Sequence, residues 1–212
     1  LVLPNRRFFI GEKQMKPNLL FFDLETTGLD KDKNTIIEIA IVKTDYYGNV
    51  IGKYHTKIKP SVADLASASK RALEMNGYSK EAWKNALSPE QAAKEIVEQF
   101  NDGKWVLAGQ NIGGFDIPFL QAFLNRNGFE YRIGRRYIDT MSLAIEHLMP
   151  CGLKSVSLVN IRKALKVETG IAHSAVADTL ACVQVYRKLS RATPLHRLYW
   201  KWRIPHRMKK EK

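Results

Sequence analysis

The chain has 212 residues, 45% of them apolar and 26% charged, with a formal net charge of +13. A chain of this length closes a core without covalent staples; its two cysteines, Cys151 and Cys182, form neither a disulfide framework nor a zinc cluster, which points to a reducing, intracellular (cytoplasmic) setting. No apolar run approaches the roughly 18 residues of a transmembrane helix. The net charge points to a polyanionic partner, nucleic acid before membrane, because Lys and Arg that neutralise phosphates release condensed counterions; a chain that is simply basic is the alternative.

Residues 1–16 read as an N-terminal extension or an expression-vector remnant, since the chain begins at Leu1 and Met15 stands just before the first strand. Leu19–Glu25 is a strand whose apolar run leads into two acids, Asp23 and Glu25. Strand side chains alternate faces, so both acids point the same way, about 6.6–6.8 Å apart. A carboxylate on a buried strand is costly without a partner or a metal. Glu25 could cap the strand end in water, whereas Asp23 lies deeper. Two hard anions on one face suit the paired divalent cations of phosphoryl chemistry. Thr35–Thr44 alternates as a second strand, Tyr46–Asn49 turns, and Val50–Ile58 returns as the third, giving a hairpin stopped by Pro60.

Ala63–Leu73 and Glu90–Phe100 carry helical spacing, the latter opened by Ser88-Pro89. Trp105–Gly109 is a short buried strand. In the stretch Asn111-Ile112-Gly113-Gly114-Phe115-Asp116-Ile117-Pro118, Asp116 is an expected N-cap, Pro118 sits in the first turn, and the glycines let the backbone approach something closely. Ile117–Asn127 is a helix closed by Gly128. Arg136–Asp139 is a strand, with Asp139 capping a helix over Thr140–Leu148 that Pro150 ends. Ser155–Leu165 and Ala175–Leu189 are further helices.

At 100° per residue, Asp178 shares the buried stripe of the last helix with Ala181, Cys182, Val185 and Leu189, while Gln184, Arg187, Lys188 and Arg191 face the other way. The helix N-terminus compensates such an acid in part; a cation does so more fully. His173 falls in the loop just before. It is either an incidental loop residue or the side chain best matched to proton transfer near neutral pH.

Residues 191–212 form a basic, aromatic tail with eight Lys/Arg against one acid, Glu211. Its core, Leu195-His196-Arg197-Leu198-Tyr199-Trp200-Lys201-Trp202-Arg203, interleaves rings with cations. That pattern fits a grip on single-stranded nucleic acid or a docking face for a partner; it also fits a terminal helix packed on the core.

The order of elements predicts an α/β fold. The ordered set Asp-x-Glu-Thr-Thr-Gly, Asn-x-x-x-Phe-Asp and His-x-x-x-x-Asp resembles the DEDDh exonucleases, the family of DNA-polymerase proofreading subunits, RNase T and oligoribonuclease. Ile36–Ile41, Met75-Asn76-Gly77 and Ile138-Asp139-Thr140 support it. The resemblance implies an RNase-H-like mixed sheet of about five strands, the first three antiparallel, flanked by helices over residues 17–190. It implies that Asp23, Glu25, Asp116 and Asp178 hold two Mg²⁺ or Mn²⁺ ions, with His173 as general base. Thr26, Thr27, Leu29, Asn111 and Phe115 would lie against the terminal nucleotide. Many proofreading relatives carry His-Asn where this chain has Gln110-Asn111, a departure that touches a polar contact near the substrate but no metal ligand. The implied activity is a 3′–5′ exonuclease releasing 5′-mononucleotides from single-stranded or frayed DNA, free or beside a DNA polymerase or replication protein. Trimming of RNA by the same chemistry, and a non-catalytic binding module on this fold, are the alternatives.

Overall fold

The computed structural model describes residues 16–168 and 174–208. Strand β1 (Asn18–Thr26) pairs antiparallel with β2 (Ile36–Thr44), which pairs antiparallel with β3 (Val50–Lys57). On its other side β1 pairs in parallel with β4 (Trp105–Gly109), and β4 with β5 (Tyr137–Asp139). The sheet order β3-β2-β1-β4-β5 is the mixed five-stranded sheet expected from the sequence. Every residue of β2 is buried. Helices cover both sheet faces, so its apolar run need not alternate.

Two helices stand where one is expected over Ala63–Leu73: α1 (Val62–Ala66) and α2 (Lys70–Met75). The break at Ser67-Ala68-Ser69 is a docking point. The Ser69 N–H donates to the Thr27 carbonyl (2.7 Å), Asn34 Nδ2 donates to the Ser67 carbonyl (3.1 Å), and the Ser69 hydroxyl caps α2. A continuous helix would forfeit these bonds, which tie the segment to the loop after β1.

Next come α3 (Pro89–Asn101), opened by a Ser88/Gln91 capping box, and α4 (Asp116–Arg126), with Gly128 at φ +80° just beyond it. Helix α5 (Thr140–Leu148) starts at the Asp139 cap, and a 3-10 turn (Met149–Cys151) closes it. Helix α6 (Leu158–Leu165) starts later than the sequence suggests, because Ser157 supplies the capping oxygen. Helix α7 (Ala175–Leu189) follows as expected. Residues 194–208 form α8 (Pro194–Met208), which buries Trp200 and Ile204 among α5, α6 and α7.

One sheet face, with Leu20, Phe22 and Leu24 of β1, packs on α3 and α4 through Ile96, Phe100, Phe119 and Phe123. On the other, Leu19 and Phe21 meet Cys182, Val183 and Tyr186 of α7. Cys151 and Cys182 are free and buried. Among the described residues no helix is long and apolar enough to cross a membrane.

Candidate active site

The α7-facing side of β1 carries Leu19 and Phe21, both fully buried, and continues with Asp23 and Glu25. There α7 presents the residues of its first turn, Asp178 among them. Asp23, Glu25 and Asp178 thus offer carboxylate oxygens that all lie within 4.8 Å of one another. Residues 153 or more positions apart in the chain are joined because α7 packs against both β1 and β2.

Asp116 lies beside this trio, buried at the start of α4. It is the first helical residue rather than the N-cap; Phe115 holds the cap position and provides no side-chain bond. Its carboxyl is aimed instead at the end of β1, where the Leu24 backbone hydrogen-bonds it.

Crowding shows in the electrostatics. Burial first, then the charges of Asp116, Glu25, Asp178 and Glu38, push the Asp23 carboxyl well above the usual carboxylate range. Burial, then Glu38 and Asp178, lift Glu25 to about 7. Burial also raises Asp116, with Asp139 and Glu25 adding to it and backbone hydrogen bonds opposing. The buried Cys182 thiol is pushed up by burial and by Asp23. Like charges gathered at this distance call for a countercharge, and hard oxygen donors in that number suit a divalent cation such as Mg²⁺. The residues present fit such a metal.

Two neighbours of the acids carry no motif signal. Glu38 of β2 sits opposite Glu25 in register, is buried, and meets His55 Nε2 at 2.9 Å. An acid inside the run Ile36–Ile41 is the same anomaly as Asp23 in β1, so the sequence did carry a signal for it. Arg162 of α6 places Nη1 3.2 Å from Asp178 Oδ1. It lies on an ordinary amphipathic helix, where nothing in one sequence marks it out.

The loop after β1 is built from its own side chains. Thr26 Oγ1 donates to the Gly28 carbonyl (2.6 Å), and Thr27 Oγ1 accepts from the Thr35 N–H (3.0 Å). Asn76 Nδ2 donates to the Thr26 carbonyl (3.0 Å), which gives the Met75-Asn76-Gly77 stretch a physical role. A side chain at Gly28 would collide with Asn34. Both threonines are buried, whereas Leu29 at the tip is 87% exposed.

Across the site, Asn111 takes a left-handed conformation (φ 55°), and its N–H donates to Asp139 Oδ1 (2.9 Å), the oxygen that also caps α5. Gln110 is held by Thr140 Oγ1 (2.7 Å) and donates to the Val156 carbonyl (2.8 Å). The residue that departs from many proofreading relatives is therefore tied into the wall between α5 and α6. What the glycines approach is Tyr137 at Gly113, whose hydroxyl an added side chain would strike. Phe115 is partly buried against Phe119, ring centroids 5.2 Å apart. His173 lies outside the described residues.

Fold and acid cluster together define an α/β protein with a candidate metal site at the end of its central strand. A family model for exonucleases, RNase T, matches residues 20–186, and the chain belongs to that exonuclease family. Among its relatives, the PolC-type DNA polymerase III of Thermotoga maritima is 33% identical over 165 residues, covering 77% of this chain and 11% of that protein. The PolC-type enzyme of Latilactobacillus sakei is 30% identical over 174 residues, 81% of this chain and 11% of that one. The chain thus spans about a tenth of the length of these relatives. Escherichia coli Exonuclease I in complex with a dA16 oligonucleotide superposes with a TM-score of 0.72 at 22% identity, over 86% of this chain and 42% of that one. Exonuclease I of Methylocaldum szegediense gives 0.70 at 24%, with 86% and 42% covered. At these identities the likeness is one of fold.

Proposed function

We propose that the chain is a metal-dependent 3′–5′ exonuclease acting on single-stranded or frayed DNA. The observation that carries this is the convergence of Asp23, Glu25 and Asp178 within 4.8 Å, with buried Asp116 beside them, in a member of the exonuclease family. Asp23, Glu25, Asp116 and Asp178 would hold two divalent cations, Mg²⁺ or Mn²⁺. When bound, such ions supply positive charge to the phosphodiester, to the attacking water and to the leaving 3′ oxygen.

The chain's own residues do the rest. His173, five positions before Asp178, accepts the proton of the attacking water at an imidazole nitrogen. Water's oxygen bonds to phosphorus as the bond to the 3′ oxygen breaks, releasing a 5′-mononucleotide. Thr26 and Thr27 shape the loop that brings Leu29 to the mouth, where its exposed side chain meets the terminal base. Phe115 and Asn111 line the opposite wall. Arg162 steadies Asp178.

DNA as the substrate is supported by the likeness to PolC-type polymerases and by the oligonucleotide complex of Exonuclease I. A polymerase or other replication protein as partner rests on the first of these. The intracellular setting is supported by two free, buried thiols. The experiment is digestion of 5′-labelled single-stranded DNA, duplex DNA with a mismatched 3′ end, and RNA, each with Mg²⁺ and with chelator. Stepwise shortening of the two DNA substrates in Mg²⁺ alone is expected. Preferential shortening of RNA would move the chain to the RNA-trimming branch, and no shortening of any substrate would leave only the binding module.

A further inference from the structure

Helix α7 carries acid at one end and a different surface at the other. Arg187, Lys188 and Arg191, with Lys166, His196 and Tyr199, line a cavity of about 480 Å³. All four cations are exposed, and Lys166, Arg187 and Lys188 pair with no carboxylate among the described residues. Two of the cations, Arg191 and Arg187, have defined neighbours. Arg191 donates to the Tyr47 carbonyl (2.9 Å) and stacks 5.1 Å from the Tyr47 ring. Gly48, at φ +80°, leaves room for Arg187, whose Cγ an added side chain would strike. Lys166 takes a left-handed conformation (φ 52°) at the end of α6, a position that favours glycine, yet it keeps a charged side chain there.

Beside the cavity runs the outer face of α8. Trp200 and Ile204 turn inward, while Leu195, Leu198, Tyr199 and Trp202 are 77%, 68%, 48% and 62% exposed. Residues 194–208 contain no acid. Exposed rings next to cations, three of which pair with no carboxylate among the described residues, match a ligand with both phosphates and flat bases, which is single-stranded nucleic acid. An acidic protein would use the cations but has less use for the rings. Asp178 and Lys188 are ten residues apart on one helix, about 15 Å at its rise per residue. The last turn of α6, with Arg162 and Lys163, and then Lys166 at its C-cap, lead from the first to the second.

We propose that the cavity at the C-terminal end of α7, together with the exposed face of α8, binds a single-stranded nucleic acid some nucleotides upstream of the 3′ end. The inference rests on the proposed function for placing that 3′ end at the acids. It makes the basic helix a holding surface that keeps a strand on the enzyme between cleavages.

The test uses the full chain in chelator, with fluorescence anisotropy on labelled dT4 and dT20, comparing wild type with R187E/K188E and with Y199A/W202A. For dT20, R187E/K188E should weaken affinity at least tenfold and flatten the salt slope by about 1.4, roughly 0.7 for each of two phosphates. Y199A/W202A should weaken dT20 binding about fivefold or more with the slope kept. Both variants should cleave dT4 in Mg²⁺ within twofold of wild type. Unchanged dT20 affinity and slope in both variants would overturn the proposal, as would loss of binding to an acidic peptide while dT20 binding persists. Failure of the wild type to cleave dT4 would strike the nuclease reading instead and leaves the anisotropy comparison decisive for this surface.

Discussion

The two faces of β1 show what a strand gives up to carry acids. On one, Leu20, Phe22 and Leu24 are buried against α3 and α4, with Phe22 edge-on to Phe100 at 5.5 Å. On the other, Phe21 is as deeply buried, but the next two outward positions are Asp23 and Glu25, whose carboxyls are pushed up by burial and by one another. The first face stabilises the fold; the second holds charge that the fold disfavours until a counter-ion binds. Substitutions on the two faces should therefore separate stability from activity.

The largest effect belongs to the charged face. Asp23→Ala should lower the rate on single-stranded DNA by at least about 10⁴-fold, ~5 kcal/mol of transition-state stabilisation, without lowering thermal stability in chelator. His173→Ala should lose about 10²–10⁴-fold while cation binding, followed by calorimetry, is kept. On the apolar face, Phe22→Ala should cost about 3–5 kcal/mol in denaturant melts, with the rate per folded molecule little changed.

Glu25→Gln sharpens the contrast in the opposite direction. With its carboxyl raised from 4.5 to about 7, the folded protein holds a proton that the unfolded chain releases. In chelator, stability therefore falls as pH rises from about 4.5 through 7. The Gln variant should escape that loss and be more stable at pH 8 by roughly 3 kcal/mol, at about 1.4 kcal/mol per pK unit. Added Mg²⁺ should accordingly raise the wild-type Tm more at pH 8 than at pH 5.5. Smallest of all, Asn76→Ala removes one hydrogen bond to the Thr26 carbonyl and should cost about 1 kcal/mol.

Much of this is legible in the sequence because the physics is local. Asp23 and Glu25 stand out as acids closing an apolar run, and Asp178 as an acid in a buried helical stripe. The mixed sheet of about five strands, its first three antiparallel, follows from the order of elements and the family resemblance. What stays hidden depends on partners distant in the chain. The break between α1 and α2 exists to bond Thr27 and Asn34, so helical spacing alone joins the two. Read from its own neighbours Asp116 looks like a cap; the family resemblance alone puts it with the other acids, and the Leu24 backbone that holds it is invisible in the sequence. Arg162 is one more cation on an amphipathic helix until α6 meets α7. The aromatic tail reads equally as a grip or a packed helix; α8 buries Trp200 and Ile204, as a packed helix does, and leaves Leu198, Tyr199 and Trp202 exposed.

The most direct measurement is calorimetric titration of Mn²⁺ into the wild-type chain and into Asp23→Asn and Asp178→Asn. Binding in the wild type that is weakened at least about 100-fold by either substitution is the expected result, since side chains from β1 and α7 would share the same ions. Cation binding that survives unchanged in either variant would contradict a common site for the two carboxylates.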